Sequence, residues 1–208
     1  MGTLRAGLVG RYPPFTDGDG GLDADLIAAL GDRLGDDVVV GSDDDVAVAL
    51  GRLGAGDYDC VLGGVRTSAG GADVAFLPPY VISGDGLAVN TRRLPHVHSM
   101  ADLGEITPRR CARSQLRTAV AELASGSCDA LVDLAPVLGE LVRDVPDVEM
   151  VARGLSVDDI AIAVAAGNTA LTARLQVAQA ELEEDGTLQQ MRRRWLGNPY
   201  ADQASAVR

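Results

Sequence analysis

Short apolar runs alternate with amphipathic stretches along the first third of the chain. Runs at residues 4–9, 38–40 and 60–62 have the length and composition of buried strands. Between the first two runs, apolar side chains recur at helical spacing from Leu26 to Leu34, and Gly35 follows as a helix stop. This alternation of strands and helices predicts an α/β fold.

Polar residues mark the starts of other helices. Ser42 and the three aspartates after it suit the positive end of a helix dipole, and Asn168 has the same capping role near the C-terminus. The aspartates lack the alternating spacing of a calcium loop, so capping is the favoured interpretation. Arg192, Arg193 and Arg194 fall in the last turn of a C-terminal helix, and we interpret them as helix termination and not as a binding patch.

The stretch from Gly54 to Tyr80 contains the strongest candidate for a binding loop. The buried run Cys60-Val61-Leu62 stops at Gly63-Gly64, and loops at the ends of buried strands are where α/β proteins bind ligands. Paired glycines let a ligand approach the backbone, and they equally suit a tight turn that needs positive φ. Both interpretations are open at the level of sequence.

Composition and charge exclude several classes of protein. The 208 residues, 47% of them hydrophobic, suffice for one large domain or two small lobes. The 30 acidic and 18 basic residues give a net charge of −12, which repels nucleic acid and anionic lipid. No apolar run approaches the ~18 residues needed to cross a bilayer, and Met1 leads straight into a strand without a signal segment. Taken alone, this predicts a cytoplasmic protein unless a leader has been removed.

Neither a metal site nor a cofactor is expected. The sequence has an odd number of cysteines, and none are spaced as a CxxC pair: they are Cys60, Cys111 and Cys128. This argues against a disulfide framework and a zinc site. Cys60 and Cys128 lie in apolar strand patterns and are expected to be small buried side chains. His96 and His98 lack a third ligand, so an exposed linker is the favoured interpretation. Phosphate-loop and dinucleotide motifs are also absent from the sequence.

Five short motifs occur in an order that resembles one known family. They are the strand at 4–9, Tyr12-Pro13-Pro14-Phe15, Gly21-Leu22-Asp23-Ala24-Asp25-Leu26, the double glycine with its Thr/Ser loop, and a closing segment that ends in Trp195-Leu196-Gly197. This order resembles the family 3 extracellular solute-binding proteins, the amino-acid receptors of ABC importers. The resemblance covers nearly the whole chain and implies an extracytoplasmic or cell-surface location.

The resemblance implies a periplasmic-binding-protein-like α/β fold with two lobes. Strands at 86–90 and 159–164 are expected to join the lobes as hinges, with the ligand in the cleft between them. Lobe one would be residues 1–88 with 166–208, and lobe two residues 89–165. Between Leu103 and Gly126 the chain is too short for the family's strand, Gly-Thr turn, helix and further strand, which need ~30 residues. The second lobe is therefore expected to be reduced.

The resemblance also indicates ligand contacts and their replacements. Tyr12 takes the place of the aromatic ring that stacks on the ligand, whereas Phe15 is expected to fill the core. The arginine that would hold the ligand carboxylate is absent from residues 69–71. The aspartate for the ligand ammonium is replaced by Leu134, and Asp133 stands one residue early, where a strand turns its side chain to the opposite face.

Arg66 is the candidate for the missing positive charge, and its alternative role is a solvated loop arginine. Our favoured hypothesis is a non-catalytic receptor for a small polar or carboxylate-bearing solute that serves an ABC transporter permease. The predicted ligand contacts are Tyr12, Gly63, Gly64, Arg66, Thr67, Ser68 and Asp133. The alternative is a repurposed member of the fold, either a cyclohexadienyl or arogenate dehydratase-like lyase or a partner-binding module without a ligand. A lyase would need a general acid such as Asp133 or Glu140, although Glu140 lies in an amphipathic helix and is expected at its surface.

Overall fold

The computed structural model describes residues 2–18 and 20–203 and has the predicted α/β fold. It divides into two compact units: among the described residues the first contains those up to Ile82 and those from Asp158 to residue 203, and the second is Ser83–Val157. The strands are β1 (Thr3–Val9), β2 (Asp37–Asp43), β3 (Cys60–Leu62), β4 (Val74–Phe76), β5 (Val81–Ser83), β6 (Asp85–Asn90), β7 (Ala130–Leu134), β8 (Val148–Ala152), β9 (Asp158–Ile160) and β10 (Ala163–Ala165). The helices are α1 (Leu22–Leu34), α2 (Val46–Ala55), α3 (Leu116–Ser125), α4 (Ala135–Val142), α5 (Thr169–Glu184) and α6 (Thr187–Leu196).

The first unit contains a five-stranded sheet with the order β2-β1-β3-β10-β4. β1 runs parallel to β2 and β3, whereas β10 is antiparallel to β3 and β4. Because the three parallel strands point the same way, the loops that follow β1 and β3 leave the same edge of the sheet. This edge carries both sequence motifs that were expected to contact a ligand.

A tyrosine ring explains two glycines in the middle of this sheet. Gly7 and Gly41 are paired in register on β1 and β2, and a β-carbon on either would lie within 2.6 Å of an atom of the Tyr58 side chain. The Tyr58 hydroxyl donates to Asp43 at 2.8 Å, and the Arg52 guanidinium lies 4.4 Å from the ring centroid. The ring can therefore pack against the sheet only because both positions lack side chains.

The predicted helix ends are confirmed. Gly35 adopts a left-handed conformation (φ 66°) and its N–H donates to carbonyls of the last turn of α1. The Asp45 carboxylate accepts from the first amides of α2, and the Asn168 side chain accepts from Leu171 N in α5. The acid cluster at the start of α2 thus includes a helix cap, as its spacing indicated.

The prediction of one strand at 159–164 is wrong. The segment forms two short strands in different sheets, because β9 pairs with β5 whereas β10 inserts between β3 and β4. Between them, Ala161 N donates to Val65 O and Leu77 N donates to Ile162 O, at 3.1 and 3.0 Å. All of residues 160–164 are buried, and a continuous apolar run carries no mark of where its pairing partner changes.

The second unit is built on a three-stranded antiparallel sheet with the order β7-β6-β8. Before α3, a single residue, Arg109, pairs with β7: Arg109 N donates to Ala130 O, and Val132 N donates to Arg109 O. Within residues 104–129, all of which are described, α3 is the only α-helix. The predicted reduction of this lobe is confirmed, since this segment contributes a single bridge, a 3₁₀ turn and one α-helix to the second unit.

The compact units divide earlier than the predicted lobes at both crossings. β6 pairs with β7 and β8 and so belongs to the second unit, and β10 belongs to the first sheet. The predicted limits of the two lobes, at 88/89 and 165/166, stay a prediction. Across the described chain, every helix is too short or too polar to span a bilayer.

The interpretation of Arg192 as a helix-terminating arginine is wrong, because the last turn of α6 contains Arg193 and Arg194, and Arg192 is buried. Its side chain is 1% exposed, and Nη2 donates to both carboxylate oxygens of Glu183 at 2.6 and 2.8 Å. Nη1 donates to Tyr80 O at 3.0 Å, and Nε donates to Pro199 O at 2.8 Å. Arg192 therefore joins α5, α6, the start of β5 and the C-terminal segment.

Candidate functional site

Arg66 follows β3 at the edge where the parallel strands end. Val65 O accepts from Ala161 N, and Arg66 forms an isolated antiparallel bridge with Ile160, so the backbone of this loop is fixed by the chain around β9. Nη1 of Arg66 lies 3.3 Å from Oδ1 of Asp158, and the two side chains are 25% and 14% exposed. The cation predicted from sequence is thus held beside a carboxylate that the sequence analysis did not identify.

The double glycine is a turn whose amides bind a carboxylate of the protein itself. Gly63 and Gly64 have φ values of 118° and 62°, and both N–H groups donate to Oδ2 of Asp23 at 2.7 Å. Tyr80 donates its hydroxyl to the same oxygen at 2.8 Å, and Asp23 is fully buried. Buried Asp23 already accepts from both glycine amides, and the predicted ligand contact of the Gly63-Gly64 backbone stays a prediction.

Tyr12 and Phe15 lie against this turn. Their ring centroids are 6.1 Å apart with an interplanar angle of 20°, and a β-carbon on Gly64 would lie 2.9 Å from either ring. Phe15 is fully buried, as expected, and Tyr12 is 2% exposed. The absence of a side chain at Gly64 is what allows both rings to pack here. The stacking of Tyr12 on a ligand stays a prediction.

The loop after Arg66 forms a short 3₁₀ turn at Thr67–Ala69. Thr67 is half-buried and Ser68 is exposed, and their ligand contacts stay predictions. An arginine is disfavoured at position 70, because a β-carbon there would lie 2.4 Å from the ring of Phe76. Gly71 has open space around it, so sterics alone do not explain the absence of an arginine from this loop.

The model of the bacterial extracellular solute-binding proteins, family 3, matches residues 4–198. The chain belongs to this family. A solved ancestral arginine-binding protein bound to arginine is 27% identical, with a TM-score of 0.80 and coverage of 95% of this chain and 99% of that one. An ancestral arginine-binding protein bound to glutamine is 26% identical, with a TM-score of 0.76 and the same coverage. A mutant of ArgBP from T. maritima, 23% identical with a TM-score of 0.79 over 95% of this chain and 96% of that one, supports the fold alone. No curated protein sequence matches the chain.

In this family 3 solute-binding protein, the second unit carries two buried acids. Asp133 is 9% exposed at the end of β7, and its carboxylate accepts from Leu134 N at 2.6 Å. Asp85 is 3% exposed at the start of β6, and Nη1 of Arg110 donates to it at 2.7 Å. The ligand role of Asp133 stays a prediction. Asp85 and Arg110 gave no sequence signal, because pairing between distant segments leaves no local pattern.

Other candidate chemistry lies outside the binding loop. Glu140 pairs with Arg143 on the surface of α4, in agreement with its expected position. The amide of His98 donates to Asp102, and residues 2–18 and 20–203 contain no group of three or more potential metal ligands. Burial raises the pKa of the Cys60 thiol to about 12, which makes this cysteine a poor nucleophile.

Two missed residues share one cause. Asp23 and Asp158 are both far along the chain from the loop that they contact, which is 63–66. Asp23 did carry one signal, since it falls within the motif that resembles the family's first helix. Asp158 precedes another aspartate at the start of a short strand, and nothing in that pattern distinguishes the two.

Proposed function

We propose that this protein is a non-catalytic receptor for a free amino acid. The observation that carries the proposal is membership of the family over residues 4–198, together with solved structures at 27% and 26% identity that hold arginine and glutamine. The same membership supports an ABC transporter permease as the partner that receives the solute. The finer choice of solute is set by the side chains around Arg66.

Arg66 supports this proposal through its position and chemistry. It follows a buried parallel strand at the carboxyl edge of the sheet, which is the usual ligand edge of α/β proteins. A guanidinium presents a planar fork of donors that matches a carboxylate. Thr67 lies in the adjoining turn and offers a hydroxyl group to the same ligand. In this proposal the double glycine shapes the loop through Asp23.

The test is a thermal-shift screen against the twenty common amino acids, small carboxylic acids, prephenate and arogenate. A ligand present at a hundred times its dissociation constant stabilises the folded state by about 2.7 kcal/mol, which corresponds to a shift of roughly 5 °C or more in a chain of this size. We expect such a shift with at least one amino acid, and its loss in Arg66→Ala.

The matched control is Arg5→Ala. Arg5 forms an ion pair with Asp59 at 2.7 Å, at the opposite end of β3 from Arg66. This variant should keep the full ligand-induced shift. The receptor hypothesis is refuted if the wild-type protein melts cooperatively and no compound shifts its melting temperature. Formation of product from prephenate or arogenate would show that the protein is a lyase and not a receptor.

A further inference from the structure

Asp158 supplies an acidic group beside Arg66, where the sequence offered none. The position expected to hold the ligand ammonium is occupied by Leu134, which is fully buried. Asp158 instead begins β9 in the first unit, with Oδ1 3.3 Å from Nη1 of Arg66 and a side chain that is 14% exposed. Both charges are carried by the first unit, so their pairing depends on the packing of that unit alone.

An Arg–Asp pair is complementary to a zwitterion. An α-amino acid carries its ammonium and carboxylate groups on one carbon, so the two ligand charges lie side by side as the two protein charges do. A ligand in antiparallel orientation places its carboxylate at the guanidinium and its ammonium at the aspartate. A guanidinium has five N–H donors and a carboxylate about four acceptor sites, so each can bind its neighbour and a ligand group at once.

We propose that Asp158 is the ammonium-binding residue of this protein and that it replaces the aspartate missing from the second unit. The inference rests on the proposed function of an amino-acid receptor. It also accounts for specificity, because Asp158 repels a simple carboxylate that approaches Arg66, and Arg66 repels a simple amine that approaches Asp158. The pair therefore selects molecules that carry both charges.

The experiment measures dissociation constants by calorimetry for the best-bound of the twenty common amino acids and for its two truncated analogues. For L-arginine these are agmatine, which lacks the carboxylate, and δ-guanidinovalerate, which lacks the ammonium. We expect the wild-type protein to bind the amino acid at least ~30-fold more tightly than either analogue. Asp158→Asn should bind the amino acid ~10- to 100-fold more weakly and bind the deaminated analogue at least as well as the wild type.

Two further variants separate a binding role from a structural one. Asp158→Glu keeps the charge and should recover part of the lost affinity. Asp59→Asn removes the partner of Arg5 at the opposite end of β3 and should leave affinity within about twofold of the wild type, since the sites are independent. If Asp158 has only a structural role, Asp158→Asn should lose affinity for the amino acid and for its deaminated analogue by the same factor.

The outcomes distinguish this inference from the function on which it rests. If Asp158→Asn folds and keeps the wild-type ratio of the two affinities, the role of Asp158 is refuted and the receptor stands. The role of Asp158 is also refuted if the wild-type protein binds the amino acid and its deaminated analogue with equal affinity. If the wild-type protein binds no amino acid, the proposed function and the inference both fail.

Discussion

Replacement of Arg192 by leucine should unfold the first unit at markedly lower denaturant concentration. The side chain is 1% exposed and makes hydrogen bonds to Glu183 and to the carbonyl oxygens of Tyr80 and Pro199. A leucine side chain fills part of the volume but donates nothing. The variant therefore leaves two backbone acceptors and one carboxylate without their donor.

The expected loss is about 3 kcal/mol. A buried carbonyl that loses its donor costs ~1–3 kcal/mol, which applies in full to Tyr80 O and at the low end to the part-buried contact with Pro199 O. Glu183 is 46% exposed, so water can solvate its carboxylate after the pair is broken. The total accordingly falls at or below the low end of the ~3–5 kcal/mol found for fully buried ion pairs.

The assay is urea unfolding followed by the fluorescence of Trp195, the only tryptophan of the sequence, with linear extrapolation to water. Trp195 lies in α6 with Arg192, and its indole N–H donates to Asp25 on α1 at 2.7 Å. The control is Arg193→Leu, because Arg193 is exposed in the same turn of the helix.

The control decides between two explanations of the arginines in α6. If they act mainly on the helix dipole, both variants should lose a similar ~0.3–1 kcal/mol. If Arg192 acts through its buried hydrogen bonds, Arg193→Leu should stay within about 0.5 kcal/mol of the wild type and Arg192→Leu should not. A loss below ~1 kcal/mol for Arg192→Leu, or equal losses for both variants, would refute this reasoning.

Three further predictions test local packing and ionisation. Gly70→Ala should destabilise the protein by about 1–2 kcal/mol in urea unfolding, because its methyl group would lie 2.4 Å from the β4 phenyl ring, whereas Gly71→Ala meets no atom within 4 Å and should be neutral. The hydrogen bond from Arg5 lowers the pKa of Asp59, so this stabilisation is present above about pH 4 and is lost as the pH falls through the folded-state pKa. Asp59→Asn should therefore flatten the acid decline of the urea midpoint, and an unchanged decline would contradict this. Burial raises the pKa of Cys60 to about 12, so peptide mapping after iodoacetamide treatment at about pH 8 should find it unlabelled in the folded protein, and modification as fast as that of the other thiols would count against it.

Local chemistry made much of the fold predictable. The helix that ends at Gly35 and the caps at Asp45 and Asn168 follow from rules that act within one turn of helix. The short segment between Leu103 and Gly126 revealed the reduced second unit, because an element cannot form from residues that are absent. The prediction of one strand at 159–164 was wrong because this single apolar run contributes strands to two different sheets.

The candidate site was only partly predictable. The sequence located Arg66 and the double glycine on one loop, but it did not reveal that Asp23 accepts from both glycine amides. It also assigned Arg192 to helix termination, although three elements and the C-terminal segment enclose its side chain. In each case the partner comes from a different part of the chain.

The sequence by itself determined the family order of motifs, the α/β alternation, the helix limits and the loss of part of the second unit. These depend on periodicity, capping and length, which act over a few neighbouring residues. The tertiary structure alone decided that Asp158 stands beside Arg66 and that Asp23 closes the glycine turn. A charge finds its partner through the packing of distant segments, and a linear pattern records the charge but not the partner.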